Sequence, residues 1–395
     1  MKEPKLRFPE FTGTWEQRKL GECAEFNPKS ELPDIFEYVD LESVVGTNIL
    51  SHRTENKSSA PSRAQRLAQK GDVFYQTVRP YQKNNCIFEK DDNNWVFSTG
   101  YAQLRPVNNG YFLLTLLQNE DFVKLVLDRC TGTSYPAINS NDLADIDVNI
   151  PSDNKEQQKI GTYFKNLDNL IQSAEKELEG YRELKQGMLQ KMFPKNGEKV
   201  PEIRFPEFTG DWEQHRLSEI CGQLKNTINP MDTPDDYYME YSMPAFDDNE
   251  TATCAMGKTM NSARKVIDKP CLLVNKLNVR KKRIWNVENP ESNAVCSAEF
   301  VPLYSLGADL TFVKYTLFTD YFTSYLEGRS SGSSNSQKRV TPDVIMQAKV
   351  TIPTCDEQKK IGEYFSNLDN LITLQQQELD GYKELKKGLL QQMFC

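Results

Sequence analysis

The chain has 395 residues, of which 38% are hydrophobic and 26% charged, and a formal net charge of −8. This length predicts two or more globular domains. The negative net charge, taken alone, argues against binding to nucleic acid, because affinity for phosphate depends on Lys and Arg. The longest apolar runs, such as CLLV at 271–274, are too short to cross a bilayer, and the first residues lack a secretory signal. We therefore expect no membrane span and a cytoplasmic location.

Nine cysteines and two histidines restrict the chemistry open to this chain. No two cysteines have the short spacing of a zinc or redox motif, so we expect isolated structural thiols and no metal site. Any Ser-His-Asp or Cys-His arrangement would need His52 or His215, and we expect both at the surface.

The first predicted element is a short segment that occurs twice. RFPEFTG spans residues 7–13 and returns at 204–210, and the identity extends so that Trp15 and Leu20 match Trp212 and Leu217. We expect Phe8, Phe11 and Trp15 to be packing anchors of a repeated frame.

The segment 27–149 then reads as a small mixed α/β domain. DVFYQTV from Asp72 and YAQLRP from Tyr101 have the composition of strands, whereas the twenty residues from Tyr111 have helical spacing. A polar loop, CTGTSYPAINS, follows.

A long helix comes next and is also repeated. Residues 160–193 align without gaps to 361–394, with 22 identities in 34 positions. Their apolar residues alternate by four and three, which predicts a coiled-coil seam along a rod of about 50 Å. The seam includes Phe164, Leu167, Ile171, Leu178, Tyr181, Phe365, Leu368, Ile372, Leu379 and Tyr382. We expect an antiparallel pair; two helices buried in separate domains is the alternative.

Glycines interrupt both predicted helices at heptad spacing, at Gly180 and Gly187 and again at Gly381 and Gly388. Each glycine costs a helix about 1 kcal/mol relative to alanine. They indicate either a face kept small for another chain or a tolerated weak spot near a helix end.

The segment 224–351 is similar in length to 27–149 but shares almost no letters with it. CLLVNKL and FVPLYSL are strand-like, and the stretch from Leu310 repeats the helical spacing. The sequence thus predicts an α+β fold: two globular mixed α/β domains joined by two long antiparallel coiled-coil helices, as a pseudo-two-fold tandem duplication.

Basic residues are concentrated at corresponding places in the two domains. Residues 51–83 contain seven basic side chains against two acidic ones, and residues 258–283 contain nine against one. Amide side chains lie among them, and amides and guanidinium groups are the donors and acceptors that read base edges in DNA. Two matched clusters favour a duplex with two half-sites over an ordinary solvated face.

No catalytic site is visible in the sequence. The closest approach to a phosphate-binding loop, ATCAMGKT at 252–259, lacks the first glycine and has no clear strand before it or helix after it. No motif of an amino-methyltransferase occurs, and the acidic stretch 232–250 is better explained as solvated surface.

The repeated blocks carry a resemblance. IPSDNKEQQKIGTYFKNLDNLI from Ile150, IPTCDEQKKIGEYFSNLDNLI from Ile352, WEQRKL from Trp15 and WEQHRL from Trp212 resemble the specificity subunit of type I restriction-modification enzymes along the entire chain.

That resemblance implies a non-catalytic subunit with two target recognition domains that read the halves of a bipartite, asymmetric double-stranded DNA sequence, and with paired helices that set the gap between the halves. It implies two DNA adenine methyltransferase subunits, which hold S-adenosylmethionine, and two restriction and translocase subunits, which use ATP and Mg²⁺. The chain itself is expected to hold no cofactor. A coiled-coil adaptor without DNA contact and a nuclease acting alone are the competing interpretations.

We expect four segments. Residues 1–150 form the first frame segment and recognition domain, 151–195 the central coiled-coil helix, 196–352 the second frame segment and recognition domain, and 353–395 the C-terminal coiled-coil helix. Charge and polarity select the following candidates for DNA contact: Arg53, Arg63, Arg66, Lys70, Gln76, Arg79, Gln82, Lys83, Asn84, Thr133, Ser134, Arg264, Lys265, Asn275, Lys276, Asn278, Arg280, Lys281, Lys282, Arg283, Ser333, Ser334 and Lys338.

Overall fold

The computed structural model describes residues 3–132, 134–195, 197–332 and 337–394. They form two compact units: unit 1 comprises residues 1–176 and 376–395, and unit 2 comprises residues 177–375. Each unit combines β-sheets with helices, so the predicted α+β class is confirmed.

The elements of unit 1 are, in chain order, β1 (Trp15–Lys19), α1 (Leu20–Cys23), β2 (Ala24–Phe26), β3 (Ile35–Val39), β4 (Val44–Val45), β5 (Asn48–Ile49), β6 (Arg53–Asn56), β7 (Ala64–Leu67), β8 (Val73–Gln76), β9 (Cys86–Ile87), β10 (Trp95–Ser98), β11 (Tyr101–Pro106), α2 (Gly110–Gln118), α3 (Glu120–Leu127), α4 (Ser140–Ala144), β12 (Asp147–Pro151) and the first part of α5 (Asn154–Lys191).

The elements of unit 2 that follow are β13 (Glu213–Arg216), α6 (Leu217–Ile220), β14 (Cys221–Gln223), β15 (Thr227–Ile228), β16 (Tyr237–Tyr241), α7 (Met243–Asp247), β17 (Thr253–Met256), β18 (Arg264–Val266), β19 (Cys271–Asn275), β20 (Ile284–Val287), β21 (Ala294–Ser297), β22 (Phe300–Ser305), α8 (Leu310–Phe318), α9 (Asp320–Glu327), α10 (Pro342–Met346), β23 (Lys349–Ile352) and the first part of α11 (Cys355–Gln392).

The two units arrange their strands in the same order. Unit 1 has sheets β6-β3-β10-β7 and β2-β11-β8-β9, and unit 2 has β17-β16-β21-β18-β15 and β14-β22-β19-β20. In both, one parallel pair, β3 with β10 or β16 with β21, lies within the first sheet. Among the described residues, β15 has no counterpart in unit 1, and the two-stranded sheet β4-β5 of unit 1 has none in unit 2. Inserts with almost no letters in common therefore fold with one topology.

The strands β8 and β19 are each buried along their whole length. This burial explains their continuous runs VFYQ and CLLVN, because a strand covered on both faces shows no alternation of apolar and polar residues. Each lies inside its sheet, between β11 and β9 or between β22 and β20. The ends of these two strands position the residues discussed below.

The helical stretch from Tyr111 is divided in two. Asn119 has extended backbone angles and accepts a hydrogen bond from the amide of Asp121, so α2 ends and α3 begins there. Thr319 does the same between α8 and α9 by accepting from the amide of Phe322. Asparagine and threonine are favoured at such caps because their side chains replace a missing helical acceptor.

The repeated RFPEFTG segment binds the start of each long helix. Arg7 forms two hydrogen bonds of 2.7 Å with the buried carboxylate of Glu156, and Arg204 pairs with Glu357 in the same way at 2.7 and 2.8 Å. Trp15 is buried in unit 1, in β1, which pairs with β12. The segment recurs because each unit uses it to fix a strand to a helix.

The far end of one long helix completes the core of each unit. In unit 1, Phe394 contacts the rings of Trp15, Phe112 and Phe164. In unit 2, the equivalent ring is that of Phe193, which contacts Trp212, Phe312 and Phe365. Segments distant in sequence are thus required for both cores.

Within each unit, α5 and α11 segments also form ion pairs. Asp168 pairs with Lys386 at 2.5 Å and Glu175 with Lys383 at 2.8 Å in unit 1, whereas Lys185 pairs with Asp369 in unit 2. Six of the ten predicted seam residues are buried, and Ile171, Tyr181, Ile372 and Tyr382 are half-buried.

Candidate nucleic-acid interface

A tight turn follows β8 in unit 1, and we name residues Arg79–Lys83 the first capped turn. Its middle, Pro80–Gln82, is a single turn of 3-10 helix. The residues on both sides, Arg79 and Lys83, are left-handed, each with φ of 54°. Side chains other than glycine avoid this region because of steric strain, and such strain concentrates at functional sites.

The amide side chain of Gln76 braces the first capped turn. Its Nε2 donates to the carbonyl of Val78 at 2.7 Å and to Oε1 of Gln82 at 2.9 Å. Because Gln76 is buried at the end of β8, its amide stabilises the turn from within the protein.

Unit 2 contains the same construction after β19, in residues Asn278–Lys282, which we name the second capped turn. Val279–Lys281 form the 3-10 turn, and φ is 53° at Asn278 and 44° at Lys282. The buried Asn275 donates from Nδ2 to the carbonyl of Leu277 at 2.8 Å. The described ranges contain seven non-glycine residues with positive φ, and four of them are the first and last residues of the two capped turns.

A loop from elsewhere in the chain is attached to each capped turn by backbone hydrogen bonds. The Arg79 amide donates to the carbonyl of Pro136 at 2.7 Å, and the Asn278 amide donates to that of Lys338 at 2.9 Å. The exposed Ser134, one of the predicted contact residues, lies in the same loop as Pro136 and therefore beside the first capped turn. Thr133, Ser333 and Ser334 lie outside the described residues.

Several cations of the capped turns have carboxylate partners. Lys83 pairs with Glu120 at the start of α3, and Lys282 pairs with Asp320 at the start of α9 at 2.8 Å. Arg280 pairs with Glu327. Among the candidate cations in the capped turns and the segments next to them, the following four form no ion pair in the described ranges: Arg79, Lys276, Lys281 and Lys338. These four positive charges are available to an external anion.

Other predicted contact residues of unit 1 lie on strands of the first sheet or in loops between strands. Arg53 on β6 pairs with Glu55 and Asp40, and the hydrogen bond to Glu55 contributes most to the raised pKa of Arg53. Arg66 on β7 is half-buried, and burial lowers its pKa. Arg63 is exposed, Lys70 pairs with Asp91, and Asn84 accepts from the Gly46 amide.

In unit 2, three predicted cations are held inside the fold. Arg283 is buried and binds Asp247 with two hydrogen bonds of 2.7 and 2.6 Å, which lower the pKa of Asp247. Arg264 pairs with Glu240 at 2.6 Å. Lys265 donates to the carbonyl of Phe300 at 2.9 Å, and burial lowers its pKa. Their donors are largely occupied by the protein itself.

Two exposed aromatic residues beside the first capped turn are absent from the sequence-based selection. Tyr81, at the middle of the turn, is 49% exposed, and Tyr135, in the attached loop, is 64% exposed. The sequence feature that could have indicated them is the position of aromatic residues among basic ones such as Arg79 and Lys83, because aromatic rings can stack on bases as well as fill a core.

The phosphate-loop-like segment has a different conformation from a phosphate cradle. Strand β17 (Thr253–Met256) lies inside the segment 252–259, where a phosphate-binding loop would have no strand, and a short 3-10 turn follows it. The amides of Gly257 and Lys258 already donate to the carbonyls of Asp236 and Pro234, both at 2.9 Å. These amides are therefore not free to bind phosphate.

The described residues contain no group of three or more metal-ligating side chains, and none of the described helices has the length and apolarity to cross a membrane.

Comparison with known proteins identifies the family. The family description "Type I restriction modification DNA specificity domain" matches residues 13–180 and 308–382, more than half of the chain. The chain belongs to this family. The first capped turn lies within the matched residues 13–180, whereas the second lies between the two matched segments. The two turns are alike in strand order and in backbone angles.

Relatives of known name support the same family. The type I restriction enzyme MjaVIII specificity subunit of Methanocaldococcus jannaschii is 22% identical over 317 residues, 71% of this chain and 68% of the relative. The HindI specificity subunit of Haemophilus influenzae is 26% identical over 171 residues, 40% of this chain and 36% of the relative.

Solved structures extend the likeness of fold along the chain. The S subunit of the type I restriction-modification system from M. genitalium superposes with a TM-score of 0.64 at 14% identity, covering 100% of this chain and 99% of the other. A chain from a structure of complex assembly and conformational transition in a type I R-M system gives a TM-score of 0.53 at 20% identity, with 99% of each chain covered.

Proposed function

We propose that this chain is the DNA sequence-specificity subunit of a type I restriction-modification complex and that its two units read the two halves of a bipartite, asymmetric target. The observation that carries this proposal is the pair of capped turns. Each combines strained backbone, cations without carboxylate partners and an attached polar loop at the same point of one topology. Such positions suit contacts to phosphates and base edges.

The boundaries predicted from sequence remain part of the proposal: recognition domains within 1–150 and 196–352, and coiled-coil helices within 151–195 and 353–395. The shared strand order supports a tandem duplication. The ion pairs between α5 and α11 segments within each unit support an antiparallel coiled coil, since charged residues flank such seams. The paired helices would then set the gap between the two half-sites.

The chemistry of the complex is assigned to partner subunits. Two adenine methyltransferase subunits would hold S-adenosylmethionine, and two restriction and translocase subunits would use ATP and Mg²⁺. The chain itself would hold no cofactor and catalyse no reaction. The chain from the type I R-M assembly structure is a neighbour in fold and supports such an arrangement.

The proposal predicts that DNA binding depends on the unpaired lysines of unit 2. Lys276→Ala, Lys281→Ala and Lys338→Ala together should weaken binding of a duplex by the chain with its methyltransferase partner, measured by gel shift, because three positive charges near phosphate are lost. Lys349→Ala, which removes an exposed lysine from β23, is the matched control and should bind as the unmodified protein does. Equal binding by all variants would refute a contribution of these three lysines to DNA binding, and no binding by the unmodified complex would favour an adaptor without DNA contact.

The glycine face gives a separate prediction about partners. An added Cβ at Gly180 or Gly187 in unit 2, or at Gly381 or Gly388 in unit 1, would meet no atom within 4 Å. Gly187→Leu with Gly388→Leu should therefore keep the chain folded but prevent co-purification with the methyltransferase subunits. Alanine at both positions is the control, and it should stabilise each helix by about 1 kcal/mol while keeping assembly. Intact co-purification of the leucine variant would refute docking on this face.

A further inference from the structure

The first capped turn holds an arginine whose surroundings differ from those of its neighbours. The carbon at the centre of the Arg79 guanidinium lies 4.2 Å from the centroid of the Tyr135 ring. No carboxylate pairs with Arg79 in the described ranges, whereas the neighbouring Lys83 is paired with Glu120. A ring attracts the guanidinium without using its N–H donors, so all five remain available.

Tyr135 is held in place by the backbone around it. Thr131 and Ala137 exchange two hydrogen bonds, of 2.9 and 3.0 Å, across the base of the loop. Gly132 closes the loop with φ of 89°, and a Cβ there would lie 3.0 Å from the Tyr135 carbonyl. The carbonyl of Pro136 accepts the Arg79 amide. The ring and the guanidinium are therefore fixed to each other through main chain as well as through their contact.

Exposure indicates that Tyr135 serves something outside the fold. A ring that is 64% exposed contributes little to the core, and Tyr81 beside it is 49% exposed. Together with Arg79, they place two rings and an unpaired guanidinium on the first capped turn and its attached loop. A free guanidinium with two parallel N–H donors matches the O6 and N7 acceptors of guanine in the major groove. A lysine in its place could not make that bidentate contact.

We propose that Arg79 reads a guanine in the half-site bound by unit 1 and that Tyr135 is its positioning residue. This inference rests on the proposed function of the chain. Tyr135 limits the rotamers of a long side chain before DNA arrives, which lowers the entropy lost on binding. The second capped turn has Asn278 at the position of Arg79, so the two units carry different readers on the same backbone frame.

The experiment uses the full chain assembled with its methyltransferase partner. Sequencing methylated adenines in DNA treated with the unmodified complex gives the bipartite motif. The same measurement is then made on Arg79→Ala, Arg79→Lys, Tyr135→Ala and Tyr135→Phe. Tyr237→Ala is the matched control, since Tyr237 is an exposed tyrosine, 57% accessible, on β16 of the other unit.

Arg79→Ala should relax one guanine position of one half-site, with discrimination falling about tenfold or more, and Arg79→Lys should not restore it. Tyr135→Ala should relax the same position by about two- to fivefold. Tyr135→Phe keeps the ring and should keep the motif, as should Tyr237→Ala. A purely structural role of Tyr135 would instead lower methylation of all sequences together and leave the motif unchanged.

A motif unchanged in Arg79→Ala, with binding weakened equally on every duplex, would make Arg79 a phosphate contact and overturn the inference alone. An unmodified complex that methylates no bipartite motif would instead overturn the proposed function. Relaxation at different base positions in Arg79→Ala and Tyr135→Ala would also contradict the pairing proposed here.

Discussion

At the scale of single residues, the capped turns combine left-handed backbone with side chains that do not favour it. Glycine would adopt a φ of 54° without strain, yet Arg79 and Lys83 occupy those positions. The strain is stabilised by the buried amide of Gln76 and by the hydrogen bonds to the attached loop. The cationic side chains at positions 79 and 83 therefore occur in spite of the backbone conformation, which would favour glycine.

We predict that Arg79→Gly is more stable than Arg79→Ala by about 1 kcal/mol, because both remove the side chain but only alanine retains the left-handed strain. Thermal unfolding of the two variants measures this difference. At Gln82, whose φ is not positive, the order should reverse and alanine should be more stable than glycine. Equal stability of the two Arg79 variants would show that no strain is stored at this position.

The buried ion pairs of the repeated segment lead to a second prediction. Removing Arg7 or Arg204 leaves a buried carboxylate without its partner, which costs about 3–5 kcal/mol. In unit 1 the indole N–H of Trp15 still donates to Glu156 at 3.3 Å, whereas Nε1 of Trp212 has no hydrogen-bond partner in the described ranges. Arg204→Ala should therefore destabilise more than Arg7→Ala.

Chemical denaturation of both single variants gives that comparison. Adding Glu357→Leu to Arg204→Ala should recover part of the loss, since no buried charge then remains. An equal cost in the two units would mean that the Trp15 hydrogen bond contributes nothing to holding the carboxylate.

For the candidate DNA-contact residues, the sequence predicted which side chains carry suitable polar groups but not which of them are exposed. Gln76, Asn275 and Arg283 have suitable groups for base contacts, but all three are buried, and N–H groups of their side chains donate hydrogen bonds within the protein. Burial depends on the sheet around β8 and β19, which residue type alone does not define. Tyr81 and Tyr135 were missed because exposed and core tyrosines look alike in a sequence.

At the scale of elements, the residues just beyond the ends of the long helices are parts of compact cores. We predict that Phe394→Ala destabilises unit 1 and Phe193→Ala unit 2, each by about 3–5 kcal/mol, because each ring is buried among aromatic partners. Hydrogen exchange should locate the loss of protection of Phe394→Ala near Trp15 and Phe112. Loss confined to residues 200–350 in that variant would contradict the assignment.

The periodicity of apolar residues was sufficient to predict α5 and α11, and the β-rich runs predicted β8, β11, β19 and β22. The division of the shorter helical stretches was not predicted, because the apolar pattern continues across Asn119 and Thr319. A single side-chain acceptor ends one helix and starts the next there. Such a cap ends the helix without any change in the apolar periodicity of the sequence, so the periodicity alone does not reveal it.

At the scale of the whole molecule, the net charge of −8 would oppose approach to DNA if it were spread evenly. The charge is not spread evenly. Many basic side chains form ion pairs with carboxylates, whereas cations without such partners lie at the capped turns. We predict that binding falls steeply with salt and that the triple variant of Lys276, Lys281 and Lys338 lowers the slope of log affinity against log salt by about 1 per lost phosphate contact.

Titration of one duplex at several salt concentrations measures both slopes. Lys349→Ala should leave the slope unchanged, which separates a local contact from a general change of charge. A slope near zero for the unmodified complex would contradict an electrostatic contribution from either turn.

Unit 2 is built from the continuous stretch 177–375, whereas unit 1 needs residues 376–394 to enclose Trp15. During translation, the portion made first therefore stays open until the portion made later has left the ribosome. A nascent chain interrupted beyond residue 200 would expose apolar surface to chaperones and proteases.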